Sequence, residues 1–291
     1  MDNIRGAILM VLAMAGFALE DMFIKQVSAH LPTGQVMILL GVGGVMVYWV
    51  MMARQGLRLF SPVFFERGVI LRNVMEFVGT GGYVLAFTLG ALSSTSAILQ
   101  AMPLVVTMGA ALFLGQKVGW RRWTAILVGF VGVLIVIQPW KDGVSLISLL
   151  ALVGVFGLSL RDVATRPLKG HIASLQLAAY GFLSVIPMGV LMLALDDRTV
   201  QMPTLDDAVR MTLCVLIGVT AYYMLIAASR LGDVAFVAPF RYARIVFALI
   251  IGATVFNEPL SPHMLTGSAI IILSGIYTFY RESRSRAASL S

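Results

Sequence analysis

Apolar runs separated by short polar punctuation recur along nearly the whole chain. A helix needs roughly 20 mostly apolar residues to cross the hydrocarbon layer of a bilayer. Ten segments have that length and character: residues 4–27, 33–52, 68–90, 94–114, 121–139, 144–163, 173–194, 208–229, 234–255 and 262–280. Turn-forming clusters such as LPTG, FSP, PWKDG, RPLKG and NEPLSP fall between them. The pattern predicts an all-α integral membrane protein with ten transmembrane helices. The first segment is the least regular, because Glu20 and Asp21 interrupt it. A lone Arg5 in front and no clear cleavage pattern make it a retained helix rather than a signal peptide.

Composition agrees. The chain is 59% hydrophobic and 12% charged, whereas a soluble domain sits near half apolar and a quarter charged. Its one cysteine, Cys214, excludes an intramolecular disulfide and any multi-cysteine metal site. The net charge of +7 matters through its placement. With the N-terminus cytoplasmic, fifteen of the 21 basic residues, Arg72 and Arg161 among them, fall on the cytoplasmic side. Only Lys25, Lys141, Arg198 and Arg210 fall outside. Both termini are therefore expected in the cytoplasm, and the basic balance reflects topology, with no nucleic-acid partner.

The chain also repeats itself. GYVLAFTLGALSSTSAILQAMPLVVTM, residues 82–108, matches AYYMLIAASRLGDVAFVAPFRYARIVF, residues 221–247, with Tyr83 opposite Tyr222. Further on, Gln116 falls opposite Glu258. Five spans per copy, an odd number, make the second copy cross in the opposite sense. The charges invert accordingly: GALSST carries none while its counterpart SRLGD carries Arg230, and QKVGWRR is basic while NEPLSPH has no Lys or Arg. The expected units are residues 1–140 and 141–291. Opposed repeats point to a secondary transporter with its site near the midplane.

Two arginines lie deep in the ninth span. At 1.5 Å per residue, Arg241 and Arg244 sit roughly 12 and 16 Å beyond Asp233. A charge at the membrane centre costs at least ~2.5 kcal/mol, and i, i+3 spacing puts both on one face. Guanidinium suits carboxylate geometry. These residues are thus candidates to clamp a substrate carboxylate, or to pair with Glu20, Asp21 or Glu76. Glu20 is a candidate for a substrate ammonium or a coupling proton. Tyr83 and Tyr222, equivalent in the repeats, are expected on opposite walls of one central space, with Tyr242 nearby. Gln100 is a candidate hydrogen-bonder, and Pro103 and Pro239 are candidate hinges. Arg72 and Glu76 read as an i, i+4 pair near the membrane surface, Lys25 as an interfacial anchor, and Arg161 with Asp162 as a gate or surface pair.

The segment ALSSTSAILQAMPLVVTMGAALFLGQKVGWRRWTAILVGFVGVLIV resembles the repeat of the drug/metabolite transporter superfamily, in its EamA-type exporter branch. A small-rich turn enters a helix with central Pro103, followed by a glycine-spaced helix. Gln116 stands where that family usually has Glu, and Glu258 keeps the acid in the second copy. The whole is also similar to aromatic amino acid exporters of the YddG type. The resemblance implies export of a small metabolite, an aromatic or hydrophobic amino acid, across the bacterial inner membrane by alternating access. Arg241 or Arg244 would then meet the carboxylate, Glu20 the ammonium, and Tyr83, Tyr222 and Tyr242 the side chain. The alternatives are a multidrug or cationic-metabolite exporter of the same fold and a membrane receptor or assembly subunit that does not transport. No ATP-binding loop or HExxH motif occurs, and His30, His171 and His263 are scattered. No enzyme activity and no cofactor are expected, and a monomer in the bilayer is the expected state.

Overall fold

The computed structural model describes residues 2–115, 118–168, 172–230 and 234–290. Gln116, His171 and Asp233 lie outside the described residues. The helices are α1 Asp2–Ser28, α2 Thr33–Ala53, α3 Arg67–Leu89, α4 Leu92–Leu99, α5 Met102–Phe113, α6 Trp120–Ile137, α7 Pro139–Asp142, α8 Leu146–Thr165, α9 Ser174–Ala194, α10 Leu205–Arg230, α11 Val234–Val237, α12 Ala243–Val255 and α13 Pro262–Leu290. No strand occurs among the described residues.

Nine of the ten expected spans are long and apolar enough to cross a membrane among the described residues. The third, α3, falls short. Arg72, Asn73 and Glu76 sit in it with several glycines and threonines. It is nonetheless a full-length bundle helix, packed along most of its length against α8. Within it Arg72 and Glu76 are buried inside the bundle, where lipid does not meet them.

The α-helical hydrogen bonding of two spans breaks midway. The fourth consists of α4 and α5, separated at Gln100 and Ala101, whose amides turn back to Ala97 and Ile98 in i→i−3 bonds. The ninth consists of α11, a 3₁₀ turn Ala238–Tyr242, and α12. Pro103 and Pro239 lie in the first turn of the piece that follows each break. The backbone stays right-handed helical through Gln100 and Ala101 and from Val237 to Ala243, so each proline sits beside a tightened stretch of a continuous span.

Packing respects the repeat. The most extensive pairings are α3 with α8, α1 with α10, α2 with α9 and α6 with α13. Exchanging the first five spans for the second five turns α3–α8 into α10–α1 and leaves α2–α9 and α6–α13 unchanged. The secondary pairings, α5–α8 with α12–α1 and α3–α9 with α10–α2, exchange in the same way. The closest α3–α8 approach is at Gly79 and Gly157, where each glycine's Cα faces the other helix's backbone and a Cβ would collide with it.

Candidate functional site

The polar side chains inside the bundle gather in two clusters. The first is built on α1. Its Asp21, 4% exposed, accepts a hydrogen bond from Arg244 Nη2 of α12 at 2.7 Å and another from the Tyr83 hydroxyl of α3 at 2.8 Å. Behind Tyr83, Ser96 Oγ of α4 lies 3.2 Å from the same hydroxyl. The Arg244 guanidinium stands over the rings of Phe17 and Tyr83, 5.4 and 5.3 Å from their centroids, a cation–π arrangement that offsets part of its lost hydration. Its Nε is buried without a partner among the described residues.

Glu20 adjoins this cluster. Its carboxylate lies against Gly218 of α10, so closely that any side chain at 218 would overlap it. Among the described residues it receives no hydrogen bond. Its main-chain oxygen faces Cys214 Sγ at 3.7 Å. Counted as ionised groups, two carboxylates share one guanidinium here.

The second cluster joins α3 to α8. Glu76 accepts bonds from Arg72 Nη2 at 3.0 Å, from Arg161 Nη1 at 2.9 and 3.1 Å, and from Thr80 Oγ1 at 3.0 Å. Arg161 in turn holds Asp162 through Nε and Nη2 at 2.9 and 2.8 Å. Arg72 is only 2% exposed. The i, i+4 bond read between Arg72 and Glu76 exists, and it is buried inside the protein, where a third charge from α8 completes it. Arg72 and Arg161 consequently leave the count of loop cations.

The sequence candidates divide between these places. Tyr83 and Arg244 meet at Asp21. Arg241 lies instead in the field of Asp162, so the two arginines serve different carboxylates. Tyr222 is on neither list of ligands. It stands edge-on to Tyr48, ring centroids 6.4 Å apart, with Arg161 within electrostatic reach of Tyr222 and Glu20 within reach of Tyr48. This ring pair lies between the clusters. Tyr242 is buried with its hydroxyl unpartnered and directed at Gly275 of α13. Gln100, at the α4–α5 break, is 6% exposed with Nε2 unpartnered.

One end of the bundle is closed by a third arrangement that the sequence did not suggest. Lys25, expected as an interfacial anchor, donates to Glu258 Oε1 at 2.9 Å and to the Gly90 carbonyl, with its ammonium over the Phe256 ring. Glu258 also accepts from the Leu92 and Ser93 amides at 2.7 and 2.8 Å and from Ser93 Oγ at 2.6 Å. Those amides open α4, where a carboxylate satisfies orphan donors and suits the helix dipole. Burial works to raise the Glu258 pKa. The bonds from Ser93, Lys25 and the two amides outweigh it and hold the carboxyl below its ordinary 4.5.

Comparison with known proteins now bears on this geometry. The model of the EamA-like transporter family matches residues 4–138 and again 145–280. A riboflavin transporter of Vibrio cholerae is 32% identical over 191 residues, 65% of this chain and 62% of its own length. An S-adenosylmethionine uptake transporter of Rickettsia bellii is 23% identical over 76% of this chain and 75% of its own. The pseudopaline exporter CntI of Pseudomonas aeruginosa is 24% identical over 93% and 94%. A solved crystal structure superposes with a TM-score of 0.64 over 97% of this chain and 98% of that one at 18% identity, a likeness of fold. With two matched copies covering nearly the whole chain and these relatives beside them, this protein is a multi-pass membrane transporter, not an enzyme, and belongs to the EamA-like transporter family.

Proposed function

We propose that the transporter carries a small metabolite with an amino-acid-like end and an aromatic body. The observation that carries this reading is that, among the described residues, each cluster leaves one charge without a bonded opposite partner. Glu20 is left in the first and Arg241 in the second, and Arg244 still has an unpartnered Nε. A zwitterion costs least to bury when both its ends find counter-charges. Glu20 would take the ammonium, Arg244 or Arg241 the carboxylate, and Tyr48, Tyr83 and Tyr222 would border the ring. Aromatic amino acids fit, and so does S-adenosylmethionine, which has an amino-acid end and a base. We place both termini on the cytoplasmic side of a bacterial inner membrane, supported by the basic residues of the loops. The carrier would alternate by opening one end at a time, the Lys25–Glu258 latch closing one of them. Such a carrier runs either way, so export, implied by the family resemblance, depends on the gradients.

The match to riboflavin transporters favours a second reading, a neutral flat heterocycle held by the unpartnered donors of Gln100, Tyr242 and Arg244. Flux through purified protein in liposomes separates the two. Tryptophan, phenylalanine or S-adenosylmethionine should be carried, and Arg241→Gln and Arg244→Gln should each cut the rate at equal protein content. Flux of riboflavin alone would select the second reading. Unchanged rates in both arginine variants would remove the carboxylate clamp.

A further inference from the structure

We propose that Asp21 is an internal stand-in for the substrate's carboxylate: it occupies Arg244 while the site is empty, and on displacement it takes up one proton. This rests on the carboxylate reading given above and adds to it the identity of the coupled ion.

The geometry supports this at three points. First, Asp21 holds Arg244 through a single bond, Nη2 to Oδ2, and the guanidinium keeps a buried Nε with no acceptor. A guanidinium matches a carboxylate best through two parallel bonds. An incoming carboxylate that used Nε as well would therefore bind Arg244 better than Asp21 does. Second, among the described residues a displaced Asp21 meets no free cation: Lys25, one turn along its own helix, is held by Glu258 and the Gly90 carbonyl. Facing it are Tyr83 from α3 and Glu20 from its own helix, with Cys214 from α10 and Tyr48 from α2 beside Glu20. α11 carries no titratable group, and Arg241 in the following turn lies in the field of Asp162. An ionised carboxylate left unpaired among these would be costly, so it protonates.

Third, the hydrogen bonds around Asp21 can be satisfied in both states. With Asp21 ionised, the Tyr83 hydroxyl donates to Oδ2. With Asp21 protonated, its new O–H donates to the Tyr83 oxygen, and the Tyr83 hydroxyl turns to Ser96 Oγ, already 3.2 Å away. A hydroxyl both donates and accepts, so no buried group is orphaned by the switch. Per cycle, the Asp21–Arg244 ion pair breaks, a substrate–Arg244 pair forms, and one proton passes from water to an Asp21 oxygen. Release reverses all three. Substrate carboxylate and proton then move together, so an inward proton gradient favours uptake over the export that the resemblance implies.

The test is the affinity of the purified full-length protein for 3-phenylpropionate, a carboxylate with no ammonium to engage Glu20, alongside phenylalanine and riboflavin. Between about pH 5.5 and pH 8, each unit rise in pH should weaken 3-phenylpropionate binding by up to about tenfold, because binding takes up one proton. Asp21→Asn should bind it more tightly than wild type, with no dependence on pH. A flat wild-type profile would overturn the proposal, as would a slope that survives in Asp21→Asn. Should that variant not stay monodisperse, the wild-type slope decides alone. If neither carboxylate binds and riboflavin does, the carboxylate reading itself fails, an outcome distinct from binding without pH dependence.

Discussion

Lys25 and Glu258, 233 positions apart in the chain, meet at 2.9 Å at one end of the bundle, and the same carboxylate caps the first turn of α4. One side chain thus ties α1, α4 and the connection between α12 and α13. α4 is only eight residues long and ends at a break. Its first turn depends on this cap, since no side chain of its own provides one. Losing a cap costs about 0.5–2 kcal/mol. Glu258→Ala should therefore speed hydrogen exchange at the Leu92 and Ser93 amides by about tenfold, while amides in α2 and α9 keep their protection. Equal exchange at Leu92 in both proteins would show that the cap is not what holds this end closed.

The latch has a defined pH window. The Glu258 carboxyl titrates below 4.5 when folded, lower than in the unfolded chain. A depressed carboxyl stabilises the fold above its unfolded pKa, and that contribution is lost as pH falls through the folded value. The stability difference between wild type and Glu258→Gln should be constant from neutral pH down to about 4.5 and shrink below it. Thermal unfolding of both proteins across that range measures it. A difference that shrinks already between about pH 7 and pH 5 would assign the effect to another group.

Much of this architecture is legible in the sequence. The spans, their number and the opposed repeat follow from periodicity and charge, because lipid imposes the same length and satisfaction rule on every helix. The site is legible only in part. Arg244 and Tyr83 stand out because a deep charge and a repeated tyrosine are unusual anywhere. Asp21 gives no signal beyond that of Glu20, its neighbour, since sequence shows that two acids share a helix but not which one turns toward α12. Lys25, Glu76 and Arg161 read as residues near the membrane surface for the same reason. Spacing within a helix reveals i, i+4 partners, whereas the partners that matter here come from α8 and from the connection after α12, chosen by packing.

Glu76 is the shared acceptor of a buried arginine, Arg72, and a partly buried one, Arg161, and this makes it less dispensable than either. Glu76→Ala leaves Arg72, almost wholly buried, without its carboxylate, and strands Arg161 on one side. Breaking a buried pair by removing one partner costs about 3–5 kcal/mol, while replacing all its charges by apolar groups is often close to neutral. Glu76→Ala should fold poorly or melt far below wild type. Arg72→Met with Glu76→Leu should recover most of the loss. Melting temperatures in detergent decide it, and a double variant no better than Glu76→Ala would mean that the ion network itself, rather than the avoidance of lone charges, holds α3 to α8.

Gly79 and Gly157 let α3 and α8 approach backbone to backbone, and Glu76 lies one turn from Gly79. The 2.9 Å bond from Arg161 to Glu76 spans that same interface. A methyl group at 79 would collide with the main chain around Leu158, which cannot rotate away as a side chain would. The helices must separate, at about 1–3 kcal/mol for an overpacked contact, and the ion network opens with them. Gly79→Ala should therefore lower both stability and flux, whereas Gly119→Ala, where a Cβ has nothing within reach, should change neither. If flux by Gly79→Ala stays at the wild-type rate while stability falls, the tight α3–α8 contact serves the fold alone, and the Glu76 cluster has no part in transport.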